Sequence, residues 1–89
     1  MIRHMVSVFD SAAQIYGQPF FVTAIGAAIR SFTDEVNRIA DDNQLYHHTS
    51  DFTLYEIGTF DDVAGVLLVQ DKPRLITRAV DVKNAPTGA

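Results

Sequence analysis

The segment that most constrains the fold is DFTLYEIGTFDDVAGVLLVQ, residues 51–70. Two runs rich in β-branched, aromatic and aliphatic residues flank a short DDVAG segment, which begins with two aspartates and ends at Gly65. This pattern is typical of two antiparallel strands joined by a hairpin loop. Gly58 lies inside the first run and indicates a β-bulge. The sequence therefore predicts an antiparallel sheet.

The segment AIRSFTDEVNR, residues 28–38, predicts an amphipathic helix. Apolar residues recur every three or four positions, which places them on one helix face. Thr23 is the predicted N-cap, although an S-x-x-D capping box at residues 31–34 would start the helix later. Gly26 weakens the helix by about 1 kcal/mol relative to alanine and would let another element approach closely. The apolar stripe consists of Ile25, Ala28, Ile29, Phe32, Val36, Ile39 and Ala40.

The chain before this helix contains one strand and one loop. HMVSVFD, residues 4–10, is rich in β-branched and aromatic residues and is predicted to be a strand. The following loop passes through Gly17 and Pro19, and a proline disfavours helix at the residue before it. Phe20 and Phe21 are expected to anchor this loop to the core.

The C-terminal segment RLITRAVDV, residues 74–82, is predicted to be a short strand, although Pro73 equally suits the first turn of a brief helix. Residues 1–4 are expected to form an N-terminal extension, and residues 84–89 are expected to fray. Residues 1–89 then form a single α+β domain, a small antiparallel sheet of three to four strands with one amphipathic helix packed on one face. The predicted order is β-loop-α-β-β, followed by a short strand or helical turn.

Length, cysteine content and charge restrict the possible functions. The chain has 89 residues and no cysteine, so disulfides cannot stabilise it. A domain of this size buries a modest core, and we therefore expect a homo-oligomer. The net charge of −4 weighs against generic binding to the DNA backbone. The sequence shows neither a signal-peptide pattern nor an apolar run of membrane-spanning length, so a soluble intracellular protein without membrane association is expected.

The sequence indicates neither an enzyme nor a cofactor site. The glycines match neither a P-loop nor a dinucleotide fingerprint. His47, His48 and Asp51 are the nearest approach to a metal site, but a good site needs three or four convergent ligands. Neighbouring carboxylates are better explained by helix caps and turns than by acid–base catalysis. We therefore predict no catalytic residue, no metal and no cofactor.

Two groups of basic residues are candidate binding sites. Arg30, Asp34 and Arg38 share one helix face, and Asp34 is expected to pair with Arg38. This face is either an ordinary solvated surface or a surface for phosphates or an acidic partner. The second group lies near the C-terminus and forms either a platform for single-stranded DNA or an ordinary charged sheet edge. It consists of Lys72, Arg74, Arg78 and Lys83, with the aromatic residues Tyr46, Tyr55 and Phe60.

Three segments carry a resemblance to a known family: SVFDSAAQIYGQPFF, AIRSFTDEVNR and DFTLYEIGTFDD. From residue 5 to about residue 82, the chain resembles the small nonstructural protein of gokushovirus-type microviruses, which are icosahedral phages with single-stranded DNA. The resemblance implies a protein of the bacterial host cytoplasm that is not a virion component. It also implies a role in genome replication or packaging, and it supplies no catalytic residues.

Two functions are therefore expected. The first is a non-enzymatic viral accessory protein that binds single-stranded DNA or the replication or packaging machinery, and the basic C-terminal group favours it. The alternative is a protein–protein interaction module that binds a host or phage protein without contacting DNA. The net charge of −4 and the apolar loop IYGQPFF favour this alternative.

Overall fold

The computed structural model describes residues 1–84 and confirms the predicted α+β class with an antiparallel sheet. Instead of one helix it contains three, and the predicted loop before the long helix contains two short strands. The elements are β1 (Ile2–Asp10), β2 (Ile15–Tyr16), β3 (Phe20–Val22), α1 (Ile25–Asn37), α2 (Gln44–His47), a 3₁₀ turn (Thr49–Asp51), β4 (Phe52–Asp61), β5 (Val66–Arg78) and α3 (Ala79–Val82).

The sheet is curled and β1 lies at its centre. The strand order is β2-β1-β4-β5, and β3 also pairs with β1. Every pairing is antiparallel. Residues 2–4, which we predicted to be an extension, form the start of β1, with Ile2 opposite Asp61 and His4 opposite Thr59. The predicted fraying of residues 84–89 falls mostly outside the described residues, and Asn84 donates its backbone N–H to Asn37 Oδ1.

The core lies between α1 and one face of the sheet. Val6, Phe52 and Leu54 from the sheet pack against Phe32 and Val36 of α1. Burial of these apolar side chains is the main contribution to the stability of the fold. The buried face of α1 therefore matches the central part of the apolar stripe predicted from the sequence.

The ends of the stripe and the loop differ from prediction. Helix α1 has Ala24 as its N-cap, without a side-chain cap bond, and it ends at Asn37. Ile39 therefore lies beyond the helix and is 80% exposed. Phe20 and Phe21 are exposed residues of β3 and do not anchor the loop to the core.

The predicted hairpin and its bulge are both present. Asp61 Oδ1 accepts hydrogen bonds from the N–H groups of Val63 and Ala64, and Gly65 closes the turn with a φ of +68°. The β1–β4 register shifts beside Gly58. A shift of one residue reverses the faces of all side chains that follow. Phe60 consequently lies on the face opposite α1, which we call the open face.

A second, wider bulge interrupts β5. Arg74 lies opposite Glu56 and Val69 lies opposite Gly58, so the four residues from Gln70 to Pro73 on β5 have no partner position on β4. Proline cannot donate a ladder hydrogen bond, which suits it to a bulge on an edge strand. The strand then continues to Arg78, and α3 follows, so residues 74–82 are both strand and helix.

Asn43 joins α1 to α2. Its Nδ2 donates hydrogen bonds to the carbonyls of Glu35 (2.7 Å) and Arg38 (2.8 Å), and its Oδ1 accepts from the N–H of Leu45 (3.1 Å). The side chain therefore satisfies carbonyls at the end of α1 and caps the start of α2. It is almost completely buried.

We expect Asn43→Ala to lower the free energy of unfolding by about 2 kcal/mol, because it removes the cap of α2 and the side-chain hydrogen bonds to two carbonyls, of which that of Glu35 keeps the Arg38 N–H as a donor. Asn43→Asp keeps the cap acceptor but loses the donor, and we expect an effect at least as large because its carboxylate would face those carbonyls. Urea unfolding monitored by circular dichroism measures both variants. An Asn43→Ala effect below about 0.5 kcal/mol would contradict this role.

Candidate functional site

The ion pair predicted for Arg38 forms with a different carboxylate. Arg38 binds Glu35 with two nitrogens, at 2.7 Å from Nη2 and 3.0 Å from Nε, whereas Asp34 was predicted as its partner. The hydrogen bond from Arg38 lowers the pKa of Glu35. The switch follows from the helix ending at Asn37, because Arg38 then has extended backbone and reaches the carboxylate three residues back. Arg38 is thus engaged within the chain.

Two C-terminal basic residues also have internal partners. Arg78 Nε lies 3.2 Å from Asp81 Oδ2. Lys83 Nζ donates to the carbonyl of Tyr46 (2.9 Å) and lies 3.7 Å from the centre of the Tyr46 ring. The Lys83 contacts attach the segment after α3 to α2, whereas the Arg78 pair lies within the α3 segment, and both reduce the positive charge available for DNA phosphates.

Arg74 belongs to a buried cluster around Glu56. Both Nε and Nη2 of Arg74 donate to Glu56 Oε1, at 3.0 and 2.6 Å, and Gln70 Nε2 donates to the same oxygen. His4 Nδ1 lies 2.6 Å from Oε2. Glu56 is only 4% exposed. The carboxylate therefore joins β1, β4 and the two ends of the β5 bulge.

The ionised form of Glu56 is stabilised by its partners. Burial alone raises the pKa of this carboxyl, but the hydrogen bonds with Arg74 and His4 outweigh burial and hold the pKa below its ordinary value. We did not select Glu56 or His4 from the sequence. The signal was available, because Phe52, Leu54 and Glu56 alternate onto the buried face, and a buried carboxylate requires hydrogen-bond partners.

Arg30 and Lys72 are the two candidate residues that make no ion pair or side-chain hydrogen bond within residues 1–84. Arg30 is exposed on α1, and Lys72 is exposed in the β5 bulge. The six predicted basic residues therefore lie on or directly after α1, on β5 and after α3, and four of them are occupied by internal contacts.

The three predicted aromatic residues occupy three separate places. Tyr46 lies beneath Lys83. Tyr55 belongs to a cluster with Phe9 and Tyr16, with ring centroids 4.7 to 6.3 Å apart. Phe60 contacts Phe21 instead, at 6.1 Å. They do not form one platform with the basic residues.

The open face carries an apolar pocket of about 520 Å³. It is lined by Arg3, Phe21, Phe60 and Leu67. Phe21 and Leu67 are each about half exposed. The Arg3 guanidinium donates to Asp62 at 2.9 Å, and with the N-terminal amine it lowers the pKa of Asp62. The charges at the pocket rim are thereby balanced, and its floor is hydrophobic.

A smaller pocket of about 310 Å³ contains two of the three residues that came nearest to a metal site in the sequence. Asp10, His48 and Asp51 line it, whereas His47 Nε2 contacts the carbonyl of Ala40 at 2.9 Å. Across residues 1–84, no three His, Asp or Glu side chains are arranged to hold a metal ion. None of the helices in that range combines the length and hydropathy that crossing a membrane requires.

Comparison with known proteins identifies a family. A family model described as Phage ORF5 protein matches residues 3–82, which includes the sheet, all three helices and the residues of both pockets. Neither a curated protein nor a solved structure matches the chain.

Proposed function

Because this chain belongs to the phage ORF5 protein family, we propose that it is a non-enzymatic accessory protein of a phage that binds another phage or host protein through its open face. The observation that carries this proposal is the exposed apolar pocket formed by Arg3, Phe21, Phe60 and Leu67. The partner that fits it inserts one or two apolar side chains into the pocket, against the phenylalanine pair and Leu67.

The composition of the open face supports a protein partner. Single exposed apolar residues are normal on a protein surface, but a contiguous apolar patch marks an interaction site. Aromatic residues and arginine are enriched where protein interfaces derive most of their binding energy. The pocket combines two aromatic rings with the aliphatic part of an arginine that is already ion-paired, so a partner would not have to neutralise a free charge there.

The finer assignment of the phage rests on the resemblance of three sequence segments. We propose that the protein is a nonstructural protein of a gokushovirus-type microvirus and that it acts in the host cytoplasm. Its partner would then belong to the machinery that replicates or packages a single-stranded DNA genome. An interaction module of this kind requires no catalytic residue and no cofactor.

Direct binding of single-stranded DNA is the second candidate. The cluster of exposed Tyr16 with half-buried Phe9 and Tyr55 supports it, because accessible aromatic rings stack with bases independently of sequence. The charge distribution weighs against it. Arg38, Arg74, Arg78 and Lys83 are engaged within the chain, which leaves Arg30 and Lys72 for phosphates.

The test is capture from phage-infected cells with a tagged protein after nuclease treatment. We expect a phage or host protein to remain bound to the wild type, to be lost with Phe21→Lys, and to be retained by Ile39→Lys. The second variant is the matched control, because Ile39 is an exposed apolar residue away from the open face. Equal capture by both variants would rule out the open face as the binding site.

Binding of a labelled oligothymidylate, measured by fluorescence anisotropy at several salt concentrations, tests the second candidate. Affinity that falls steeply with salt and decreases in an Arg30→Ala, Lys72→Ala double variant would favour DNA over a protein partner. We expect no binding at micromolar protein.

A further inference from the structure

The outer edge of β5 is apolar on both sides of the sheet. Val66, Leu67, Leu68 and Val69 are consecutive, uncharged and between 45 and 65% exposed. Leu67 lies opposite Phe60 on the open face, whereas Leu68 lies opposite Thr59 and points to the other face of the sheet. Exposure on both sides distinguishes this segment from an ordinary strand at the edge of a one-sided core.

The backbone of this edge is available for strand pairing. β5 is the terminal strand of the sheet, and within residues 1–84 it pairs with β4 alone. An edge strand that is exposed and apolar is a template for another strand, and natural proteins usually protect such edges with charge or bulges. Here the protection begins only at Gln70, where the bulge, Lys72 and Pro73 follow.

We propose that two copies of this chain form a homodimer by antiparallel pairing of their Val66–Val69 edges, so that the two sheets become one. Pairing with a second copy covers the side chains on both sides of the strand, because each copy contributes Leu67 to one side and Leu68 to the other. A twofold interface of this kind uses the same surface on both subunits. This interface shares Leu67 with the pocket on the open face, whereas Arg3, Phe21 and Phe60 belong to the pocket alone.

Charge complementarity supports a second copy as the occupant. In a register centred on Leu67, Lys72 of one copy approaches the turn at Asp61 and Asp62 of the other, because those residues lie about equally far from the centre. Asp62 is already paired with Arg3 and the N-terminal amine, so the carboxylate that Lys72 would meet is Asp61, which makes no ion pair within residues 1–84. Lys72 makes no internal ion pair within residues 1–84. The uncharged segment Val66–Val69 brings no like charges together, and Pro73 ends the ladder because it has no N–H.

The first test is the mass of the protein in solution, measured by light scattering after size exclusion. We expect about twice the 9.8 kDa of one chain for the wild type and for Ile39→Lys. Leu68→Lys should be monomeric, since it places two lysines near each other at the interface. A wild type that stays at 9.8 kDa at all accessible concentrations would overturn the proposal.

If Leu68→Lys does not fold, disulfide trapping still tests the proposed dimer interface. The chain contains no cysteine, so a single introduced thiol reports one contact only. Leu67→Cys should form a covalent dimer on mild oxidation, whereas Leu75→Cys, on the same strand beyond the bulge, should not. Equal trapping at both positions would point to random collision and would contradict edge pairing.

A separate variant tests the proposed attraction between Lys72 of one copy and the acidic turn of the other. Lys72→Glu should raise the dissociation constant of the dimer by at least about tenfold at low salt, and high salt should reduce that difference. An unchanged dissociation constant would exclude the proposed register. The same samples can be used in the capture experiment, so loss of dimerisation and loss of partner binding are observed separately.

Discussion

Gly58→Ala is expected to lower the free energy of unfolding by about 3 kcal/mol or more. A Cβ atom at Gly58 would overlap the carbonyl oxygen of Leu68 and lie 2.9 Å from the Cα of Val69. These are backbone atoms of β5 and cannot move aside as a flexible side chain can. To accommodate the added methyl group, β4 and β5 would have to separate at Gly58, next to the start of the β5 bulge.

Gly26→Ala is the matched control for this prediction. Apart from its chain neighbours and the backbone of its own helix, no atom lies within 4 Å of the position of its Cβ, so the close approach of another element that we predicted from the sequence does not occur at Gly26. The residue lies inside α1, and alanine there should stabilise the protein by up to about 1 kcal/mol. Urea unfolding of both variants gives the comparison. A loss of less than about 1 kcal/mol for Gly58→Ala would show that β5 can shift to accommodate a side chain.

Glu56→Ala should destabilise the protein by about 3 kcal/mol. The substitution removes a buried carboxylate that binds Arg74, Gln70 and His4, and it leaves a cavity between three strands. Because Arg74 is half exposed, its guanidinium can return to water, which limits the loss. Removing the carboxylate should also release both ends of the Gln70–Pro73 bulge, and hydrogen exchange should detect this as faster exchange there.

Glu35→Ala is the control for an exposed ion pair. Glu35 also binds an arginine with two hydrogen bonds, but both partners are close to half exposed. Surface pairs contribute little because solvent screens them, and we expect a change within about 0.5 kcal/mol. Similar effects for Glu35→Ala and Glu56→Ala would contradict the structural role of the buried cluster.

The pH dependence of stability follows from the same carboxylate. The pKa of Glu56 lies below its ordinary value of 4.5, so its ionised form stabilises the folded state. This contribution is complete above pH 4.5 and is lost as the pH falls through the lowered pKa. Glu56→Gln cannot titrate, so the difference in unfolding free energy between wild type and variant should shrink below pH 4.5. A difference that is constant with pH would exclude Glu56 as the titrating group.

Local patterns were sufficient to predict the hairpin, its bulge and the central part of α1. Alternating apolar residues and the Asp-rich, glycine-terminated loop predict two antiparallel strands, because the geometry of a hairpin depends on neighbours in the chain. The helical spacing of Phe32 and Val36 identifies the buried face of α1 in the same way. The number of helices and the strands within the first loop carried weaker local signals, since elements of two to four residues have no period to recognise.

The candidate site was less predictable because charge pairing depends on distance in space. Each basic residue is visible in the sequence, but whether Arg74 faces solvent or binds Glu56 depends on which residues of β4 and β5 lie opposite each other. The same holds for Lys83, whose partner Tyr46 lies 37 residues away in the chain. Counting the basic residues in the sequence therefore overestimated the positive charge available to bind DNA.

By itself, the sequence determined the class of fold and the strand that carries the apolar edge, because periodicity and turn chemistry act between near neighbours. Only the tertiary structure decided which face Phe60 occupies, which carboxylates Arg38 and Arg74 bind, and that no segment of residues 1–84 covers Val66–Val69. A bulge of one residue reverses the faces of a strand, and an edge becomes exposed only when no later segment covers it. The face of Phe60 and the exposure of the edge both depend on which residues pair across long sequence separations, and patterns among near neighbours do not specify that pairing.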